Sequence, residues 1–475
     1  MKKLGWIVLL CVLSGELAAQ SKQTRDNDRV KDKIVALLNA SDYVGIYQLA
    51  DISFKKGITQ DQFVNFLAGT RDFGQVITTE RLGSDKDGIS KYKVRYKKKS
   101  LQLDLKATKS LLFDVFGLSY YSLPIVATRK LFPTNNAMQT RLDSSVQKAV
   151  TPYMSNQNVS GLSVGVFQNG TMSTYHFGEV RKGVNQLPTD ETLYEIGSIT
   201  KTFTGIILAN AVKEGKVKLN DDIRKYLEGS FPNLQYHDTP IQLVHLANHT
   251  SRLPSQPLMV NTREDPFDPE QVFSEKLLAD ILHNIKIDTL PGTKIEYSNF
   301  AVSLLGYILE KVHNASYEQL LEKYIFIPTQ MTQSKISFTT TDFKNYAQGY
   351  TVSGDTVNYW RNKLAEPAGG IRSTTKDMLK YIQAQLEAPK ESAMWLSHQL
   401  TIGDNQRGKG LNWGISTTKK GYLVWSHDGG TYGFSSLCLI YPELNSGIIL
   451  LTNNGNHNDE AFYQIGRSIY LDWVN

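Results

Sequence analysis

Strand-like segments stand at both ends of the longer, C-terminal part of the sequence, and a helical, loop-rich stretch separates them. Residues 161–177 indicate two apolar strands joined by Asn169-Gly170, a hairpin turn signal. Strand patterns return at 422–426, 434–441 and 447–451. Helices are predicted before and after these strands, at 138–153 and 459–471. The pattern therefore predicts an α+β fold, with an antiparallel sheet, a helical insertion over about 195–390 and flanking helices.

The first residues indicate an export signal. Lys2 and Lys3 precede the apolar stretch 4–13, which is too short to span a bilayer, and Leu17-Ala18-Ala19 offers small residues for cleavage. We expect a signal peptide over residues 1–19, export to the periplasm or the extracellular space, and no transmembrane segment in the mature chain. An uncleaved anchor is the alternative. Residues 21–32 are polar and charged and are expected to form a flexible lead.

A small α+β module of unknown role is predicted over residues 30–121. Helical patterns precede residues 91–105, where charged and apolar side chains alternate in two runs typical of a hairpin. This order of helices and strands resembles modules of the nuclear-transport-factor-2-like class. The basic strand face at 91–97 is either solvated or binds an anionic glycan or lipid. Residues 122–139 carry Pro124 and Pro133 and are predicted to form a linker.

The net charge of +6 over 475 residues is modest, and a surplus of lysine and arginine at 91–109 accounts for it. No basic surface is predicted along the whole chain, so nucleic acid is not expected as a partner. Once the signal peptide is removed, Cys438 is the only cysteine, which excludes an intrachain disulfide. Its apolar neighbours predict a buried strand position.

Ser198 and Lys201 are the first residues with a clear chemical implication. They stand three residues apart at the start of a predicted helix, so they lie on one face of its first turn. A serine hydroxyl is a weak nucleophile until a base takes its proton, and a buried lysine of lowered pKa is such a base. A capping serine beside a solvated lysine gives the same pattern, so this pair alone does not establish catalysis.

Two further motifs change that interpretation. Tyr297-Ser298-Asn299 precedes a predicted helix over 301–312, and His427-Asp428-Gly429-Gly430 lies between two predicted strands. With Ser198-x-x-Lys201, and in this order, they resemble the motifs of the serine β-lactamase and penicillin-binding protein superfamily, in its class C β-lactamase and D-alanyl-D-alanine carboxypeptidase branch. The resemblance covers about 140–475, which is therefore expected to be a β-lactamase-like serine hydrolase domain with an antiparallel sheet.

The resemblance implies a role for each residue. Ser198 is expected to be the acylated nucleophile, while Lys201 transfers protons and keeps Tyr297 poised toward phenolate. The substrate-binding and oxyanion positions that it implies are Asn299, His427, Gly429 and Gly430. No metal and no cofactor are expected.

Three positions qualify this prediction. His427 stands where class C β-lactamases have lysine, and a histidine of ordinary pKa is mostly neutral at pH 7, so binding of a substrate carboxylate is less assured. Arg372 is then the first alternative cation. Arg252 replaces a glycine of the pattern, which predicts a local rearrangement if the backbone needs a positive φ.

The motifs favour an exported serine hydrolase that forms an acyl-enzyme on an amide or ester. Candidate substrates are a cell-wall peptide (carboxypeptidase or D-amino-acid peptidase type), a β-lactam and a carboxylic ester, and peptidoglycan is a candidate partner. The alternative is a noncatalytic penicillin-binding, wall-peptide-binding or sensor protein. His245 and His249 are spaced like a zinc pair, but no Glu follows His245, so a zinc site is disfavoured.

Overall fold

The computed structural model describes residues 4–70, 73–96, 100–120, 131–255, 275–339, 342–360, 362–456 and 459–474. The chain divides into two compact units, 1–124 and 125–475. Residues 121–130 of the predicted linker lie outside the described residues. None of the helices in the described ranges combines the length and the apolar character that crossing a membrane requires.

The N-terminal unit consists of helices followed by a four-stranded antiparallel sheet in the order β1-β2-β3-β4. The predicted hairpin is confirmed, since β2 pairs with β3 and places Tyr92 opposite Leu103, both buried. The elements are α1 (Leu4–Asn39), α2 (Tyr43–Gln48), α3 (Ile52–Lys55), α4 (Gln60–Ala68), β1 (Val76–Ser84), β2 (Ser90–Tyr96), β3 (Ser100–Ala107) and β4 (Phe113–Tyr120).

The prediction of a flexible lead at 21–32 is wrong, because these residues belong to α1. Val30 and Ile34 lie on one face of that helix and are buried in the core of the unit. Asn27 is buried on the same helix, where its side chain donates to Ser90 Oγ at 2.7 Å and accepts from the backbone nitrogen of Ala107 at 2.7 Å. A charged sequence still packs here because its few apolar and amide positions share one face.

The C-terminal unit contains the predicted sheet, insertion and flanking helices. Its helices are α5 (Arg141–Met154), α6 (Thr200–Lys213), α7 (Leu243–Ala247), α8 (Glu275–His283), α9 (Asn299–His313), α10 (Tyr317–Leu321), α11 (Glu366–Gly369), α12 (Thr375–Leu386), α13 (Ala393–Ser397) and α14 (Glu460–Val474). Its strands are β5 (Gly161–Gln168), β6 (Thr171–Gly178), β7 (Tyr194–Glu195), β8 (Gln235–Tyr236), β9 (Thr239–Pro240), β10 (Arg372–Ser373), β11 (Ile402–Gly403), β12 (Arg407–Lys409), β13 (Gly414–Thr417), β14 (Leu423–Gly430), β15 (Ser435–Tyr441) and β16 (Ser446–Thr452).

The main sheet joins strands from both ends of this unit in the order β11-β12-β13-β14-β15-β16-β5-β6. The two ends meet where β16 pairs antiparallel with β5. Helix α12 packs on one face of these strands, with the core of the helical insertion, while α5 and α14 cover the other face. Cys438 is buried in β15, as predicted.

Part of the predicted linker belongs to the C-terminal unit. The carbonyl oxygen of Pro133 accepts from the backbone nitrogen of Gly178 at 2.8 Å, and Asn135 Oδ1 accepts from the backbone nitrogen of His176 at 2.8 Å. Proline lacks only the N–H group, so its carbonyl still bonds to a strand edge. Residues 133–135 therefore extend the edge at β6.

Candidate active site

Ser198 lies in a 3₁₀ turn, Gly197–Ile199, that leads directly into α6. Gly197 has a φ of +48°, and a Cβ at this position would lie 2.6 Å from the backbone nitrogen of Gly430. Only glycine adopts this conformation freely and leaves room for β14. The turn thus places Ser198 at the helix N-terminus and against the strand of the third motif.

Lys201 is completely buried on the first turn of α6. Its Nζ lies 2.9 Å from Ser198 Oγ and 2.6 Å from the carbonyl oxygen of Ala368. Burial lowers the pKa of Lys201 from 10.5 to about 7, although Asp428 acts in the opposite direction. A lysine with such a pKa is a competent proton acceptor for the serine near neutral pH.

Tyr297 is the third member of this group, since its ring centroid lies 4.9 Å from Lys201 Nζ. The ring is partly exposed, yet desolvation raises the pKa of its hydroxyl well above 10; the Ser198 hydroxyl acts in the opposite direction. This environment favours the neutral phenol, contrary to the expectation that Tyr297 is poised toward phenolate. Lys201 is therefore the better base of the two.

His249 packs against Tyr297, with ring centroids 4.5 Å apart, and its Nδ1 lies 3.3 Å from the backbone nitrogen of Ser298. Burial, followed by Lys201 and Lys409, lowers its pKa well below 6.5. Sequence reasoning missed this contact. The spacing of four residues from His245 suggested a helix face, but α7 ends at Ala247. Within the described ranges, no group of His, Cys, Asp and Glu side chains is arranged to hold a metal.

Strand β14 presents an open edge beside Ser198. β13 pairs only with residues 423–426 of β14, whereas β15 pairs along 425–430. Among the strands that the structure describes, none pairs with the outer edge of residues 427–430. Such an edge offers backbone hydrogen-bonding groups to an extended ligand.

Gly429 and Gly430 let this strand touch the Ser198 turn. A Cβ at Gly429 would lie 2.1 Å from the carbonyl oxygen of Ile196 and 3.0 Å from the backbone nitrogen of Ser198. The backbone of Gly430 likewise adjoins Gly197. The amides of Ser198 and Gly430 therefore belong to one small region beside the serine hydroxyl.

His427 is buried on β14, and its Nδ1 lies 2.6 Å from the carbonyl oxygen of Asp428. A carbonyl only accepts, so Nδ1 carries the proton. Burial lowers the pKa of His427 to about 4, with Lys409 and Lys201 acting in the same direction and Asp428 opposing them. The ring is thus neutral at pH 7, and its Nε2 is an acceptor that has no partner among the described residues.

Asn299 is the first residue of α9, whose N-terminus is capped by Ser298. Ser298 Oγ accepts from the backbone nitrogen of Ala301 at 2.9 Å, and the backbone nitrogen of Asn299 donates to the carbonyl oxygen of Ser255 at 2.9 Å. Because α9 packs against α6, the second motif is held beside the first.

Arg372 does not qualify as the alternative cation. It is buried in β10 and donates to the carbonyl oxygens of Gly370 at 2.6 Å and Ile336 at 3.1 Å, and also to that of Trp360. A guanidinium that is committed to backbone carbonyls supports the fold rather than a substrate. The expectation for Arg372 is therefore wrong.

Arg252 has a φ of +66°, which confirms that this position requires the conformation that glycine adopts most easily. Its guanidinium forms ion pairs with Asp288 at 3.2 Å and Glu296 at 2.5 Å. Because Glu296 precedes Tyr297, the arginine links its own loop to the segment that carries the tyrosine.

Lys409, at the end of β12, is a cation that the sequence did not point to. It is half-buried, and burial lowers its pKa, with Asp428 acting in the opposite direction. Its charge acts to lower the pKa values of His427 and His249. The surrounding Gly408-Lys409-Gly410 carries no motif, so only the sheet register shows where this lysine lies.

Comparison with known proteins identifies the family of the C-terminal unit. A family model described as Beta-lactamase matches residues 146–467. A β-lactamase of Escherichia coli (strain K12) is 27% identical over 391 residues, which cover 74% of this chain and 99% of the relative. Protein flp of Staphylococcus aureus (strain NCTC 8325 / PS 47) is 30% identical over 342 residues, which cover 67% of this chain and 64% of the relative.

Solved structures give the same result for the fold. A class C β-lactamase superposes with a TM-score of 0.62 at 24% identity, covering 71% of this chain and 98% of its own. A β-lactamase/D-alanine carboxypeptidase from Pseudomonas syringae gives a TM-score of 0.60 at 22% identity, over 70% and 99% of the two chains. The chain is a serine hydrolase of the β-lactamase family.

Proposed function

We propose that this protein is an exported hydrolase that cleaves an amide or ester through an acyl-enzyme on Ser198. The observation that carries the proposal is the 2.9 Å contact between Ser198 Oγ and a fully buried Lys201 whose pKa lies near 7. A protein that only binds wall peptide, without being acylated, has no need of a desolvated lysine at this place, and burying such a group costs stability.

The proposed first step is acylation. Lys201 Nζ takes the proton of Ser198 Oγ as the oxygen attacks the substrate carbonyl, and a bond forms between Oγ and the carbonyl carbon. The bond between the carbonyl carbon and the leaving nitrogen or oxygen then breaks, and the neutral Tyr297 hydroxyl donates its proton to that leaving atom. Lys201 returns the proton that it took from Ser198 to the phenolate. In deacylation a water attacks the ester, and the same two groups carry its proton to Ser198 Oγ.

Negative charge develops on the carbonyl oxygen during both attacks. The backbone amides of Ser198 and Gly430 are the proposed donors, because the contacts of Gly429 and Gly197 bring these two backbones together. Loss of one such donor typically costs about 2.7–4 kcal/mol of transition-state stabilisation. His427 Nε2 and the Asn299 side chain are proposed to bind substrate N–H and carbonyl groups beside the open edge of β14.

Several substrate classes fit this chemistry. Relatives are named β-lactamases, and one structural neighbour is named a β-lactamase/D-alanine carboxypeptidase. β-Lactams and D-alanyl-D-alanine or other cell-wall peptides, with peptidoglycan as their source, are therefore the first proposed substrates, and carboxylic esters the second. Export is proposed from the N-terminal signal pattern.

The test uses a fluorescent fluorophosphonate, which reacts with activated serines whatever their substrate. It should label the wild type, with the mass shift on the peptide that contains Ser198, and Ser198→Ala should abolish labelling. Nitrocefin, p-nitrophenyl acetate and a D-Ala-D-Ala peptide then rank the substrate classes. Labelling that persists unchanged in Ser198→Ala would overturn the assignment of the nucleophile.

A further inference from the structure

An open pocket of about 600 Å³ lies on the main sheet at Ser426, where the pairing of β13 with β14 ends. Its walls come from β11, β12 and β13 and from residues 293–295, which precede Tyr297. Ser426, which directly precedes His427, belongs to the same wall. The pocket is therefore continuous in sequence and in sheet register with two of the three motifs.

The charge of this pocket is one-sided. Lys294, Arg407 and Lys409 line it, and the other described residues of its wall carry no Asp or Glu. Lys294 is exposed and already paired with Glu296, and Arg407 is exposed to solvent. Lys409 differs from both, because it is half-buried and its Nζ has no hydrogen bond or ion pair in the described part of the chain. Asp428 acts on this cation without forming an ion pair with it among the described residues. A partly desolvated cation that is not paired is costly, and an incoming anion reduces that cost.

The position of Lys409 is fixed by the strand register. Lys409 pairs with Gly414, which in turn pairs with Ser426 of β14. Its Nζ lies 3.8 Å from the place where a Cβ on Gly414 would be. Because position 414 is glycine, the side chain of Lys409 can lie across β13 toward β14. Burial lowers the pKa of Lys409, which agrees with an ammonium group that is partly withdrawn from water.

The proposed mechanism relates this pocket to the leaving group. Tyr297 is the proposed proton donor to the leaving group, and residues 293–295 of the same segment form a wall of the pocket. Along β14, Ser426 is four residues from the oxyanion position at Gly430, or about 13 Å at about 3.3 Å per residue. One residue of a leaving group spans at most about 3.6 Å, so the pocket receives a group beyond the first residue.

We propose that Lys409 binds an anionic group of the substrate, a carboxylate carried on an extended leaving group, in place of the lysine that is absent from the third motif. This inference rests on the proposed function, since the leaving group is defined by acylation of Ser198. It makes Lys409 a specificity-determining residue and leaves His427 as a neutral acceptor.

The test compares two aryl acetates that differ at one remote carboxyl group, which is charged in 3-(4-acetoxyphenyl)propanoic acid and uncharged in its methyl ester. Both release a phenol that is followed by absorbance. The wild type should prefer the acid in kcat/KM by about tenfold to a hundredfold, the range of a charge-assisted hydrogen bond.

Lys409→Met should abolish that preference and leave kcat/KM for the methyl ester unchanged. Lys409→Arg should keep most of the preference for the acid. Lys419→Met, which removes an exposed lysine from the turn between β13 and β14, is the matched control and should keep all of it.

Binding is also measured by competition, because either ester should slow the labelling of Ser198 by the fluorophosphonate while it occupies the site, and the acid should do so at a lower concentration than the methyl ester. An equal preference for the two esters in the wild type, or a preference that survives Lys409→Met in a folded variant, would overturn the proposal. Absence of any Ser198-dependent labelling would instead overturn the proposed function, and this inference with it. The two failures are therefore distinguishable.

Discussion

Lys201 Nζ and Ser198 Oγ lie 2.9 Å apart, and the lysine has no exposed surface while the serine is only partly buried. Burial sets the pKa of the amine at about 7 and so makes it a base rather than a fixed cation. We therefore expect kcat/KM for an uncharged ester such as p-nitrophenyl acetate to rise with pH through about 7, as the amine loses its proton. Lys201→Arg, whose guanidinium stays charged, should lower kcat/KM by at least about a hundredfold. A wild-type profile that stays flat between pH 5.5 and 8.5 would contradict this role.

The same burial has a consequence for stability. The pKa of Lys201 is about 7 in the folded chain and about 10.4 in an unfolded one, so between these values the unfolded state binds more protons. The free energy of unfolding should therefore rise with pH from about 7 to 10. The free-energy cost of holding Lys201 in the folded chain is largest below pH 7. Lys201→Met should raise the melting temperature at pH 6 more than at pH 9. At pH 6 the free energy of unfolding should increase by a few kcal/mol. An equal change at both pH values would show that Lys201 is not desolvated.

Gly429 tests the contact between β14 and the serine turn. The Cβ of Gly429→Ala would lie 2.1 Å from the carbonyl oxygen of Ile196, so the strand must move away from Ser198. We expect kcat/KM to fall by about a hundredfold or more, which corresponds to the loss of one oxyanion donor. Gly369→Ala is the matched control, because its Cβ would meet nothing closer than 3.8 Å. Similar losses of activity in both variants would remove the basis for the oxyanion assignment.

A side chain at position 427 is expected to influence the pH profile of kcat/KM only when it carries a charge. It is neutral above about pH 4, so the neutral variant His427→Gln should leave the midpoint of the acidic limb in place. His427→Lys puts a cation beside Lys201, which disfavours the charged amine and should move the midpoint to lower pH by roughly one unit. The measurement is the kcat/KM profile of p-nitrophenyl acetate for the wild type and both variants. A midpoint that moves upward in His427→Lys would mean that His427 and Lys201 are not close.

The sequence predicted the sheet, its helical insertion and the three motifs, because these are local patterns of periodicity and residue type. It did not predict Lys409, whose importance depends on the pairing of β12 with β13 and of β13 with β14. It also missed the buried Asn27, since one amide within a charged run gives no periodic signal. The neutral state of Tyr297 and the commitment of Arg372 to backbone carbonyls are properties of desolvation and packing, which no motif encodes.

The boundary of the catalytic unit can be tested with two shortened chains. Both 131–475 and 136–475 contain the whole sheet, but the shorter chain loses the bonds of Pro133 and Asn135 to β6. It also loses Phe132, whose ring lies 6.0 Å from that of Phe177. We expect 131–475 to be soluble and to melt cooperatively, about 3 °C above 136–475. Each of the two bonds contributes about 1 kcal/mol, and an unfolding entropy of about 2.1 cal/mol/K per residue gives a shift of about 1.4 °C per kcal/mol for a unit of this size. The measurement is thermal unfolding by circular dichroism. As the control, Asn135→Ala in 131–475 should lower the melting temperature by part of the difference between the two shortened chains.

Equal melting temperatures of the two shortened chains would show that residues 131–135 do not stabilise the sheet. Aggregation of 131–475 that is relieved by restoring residues 21–130 would show that the unit does not fold alone.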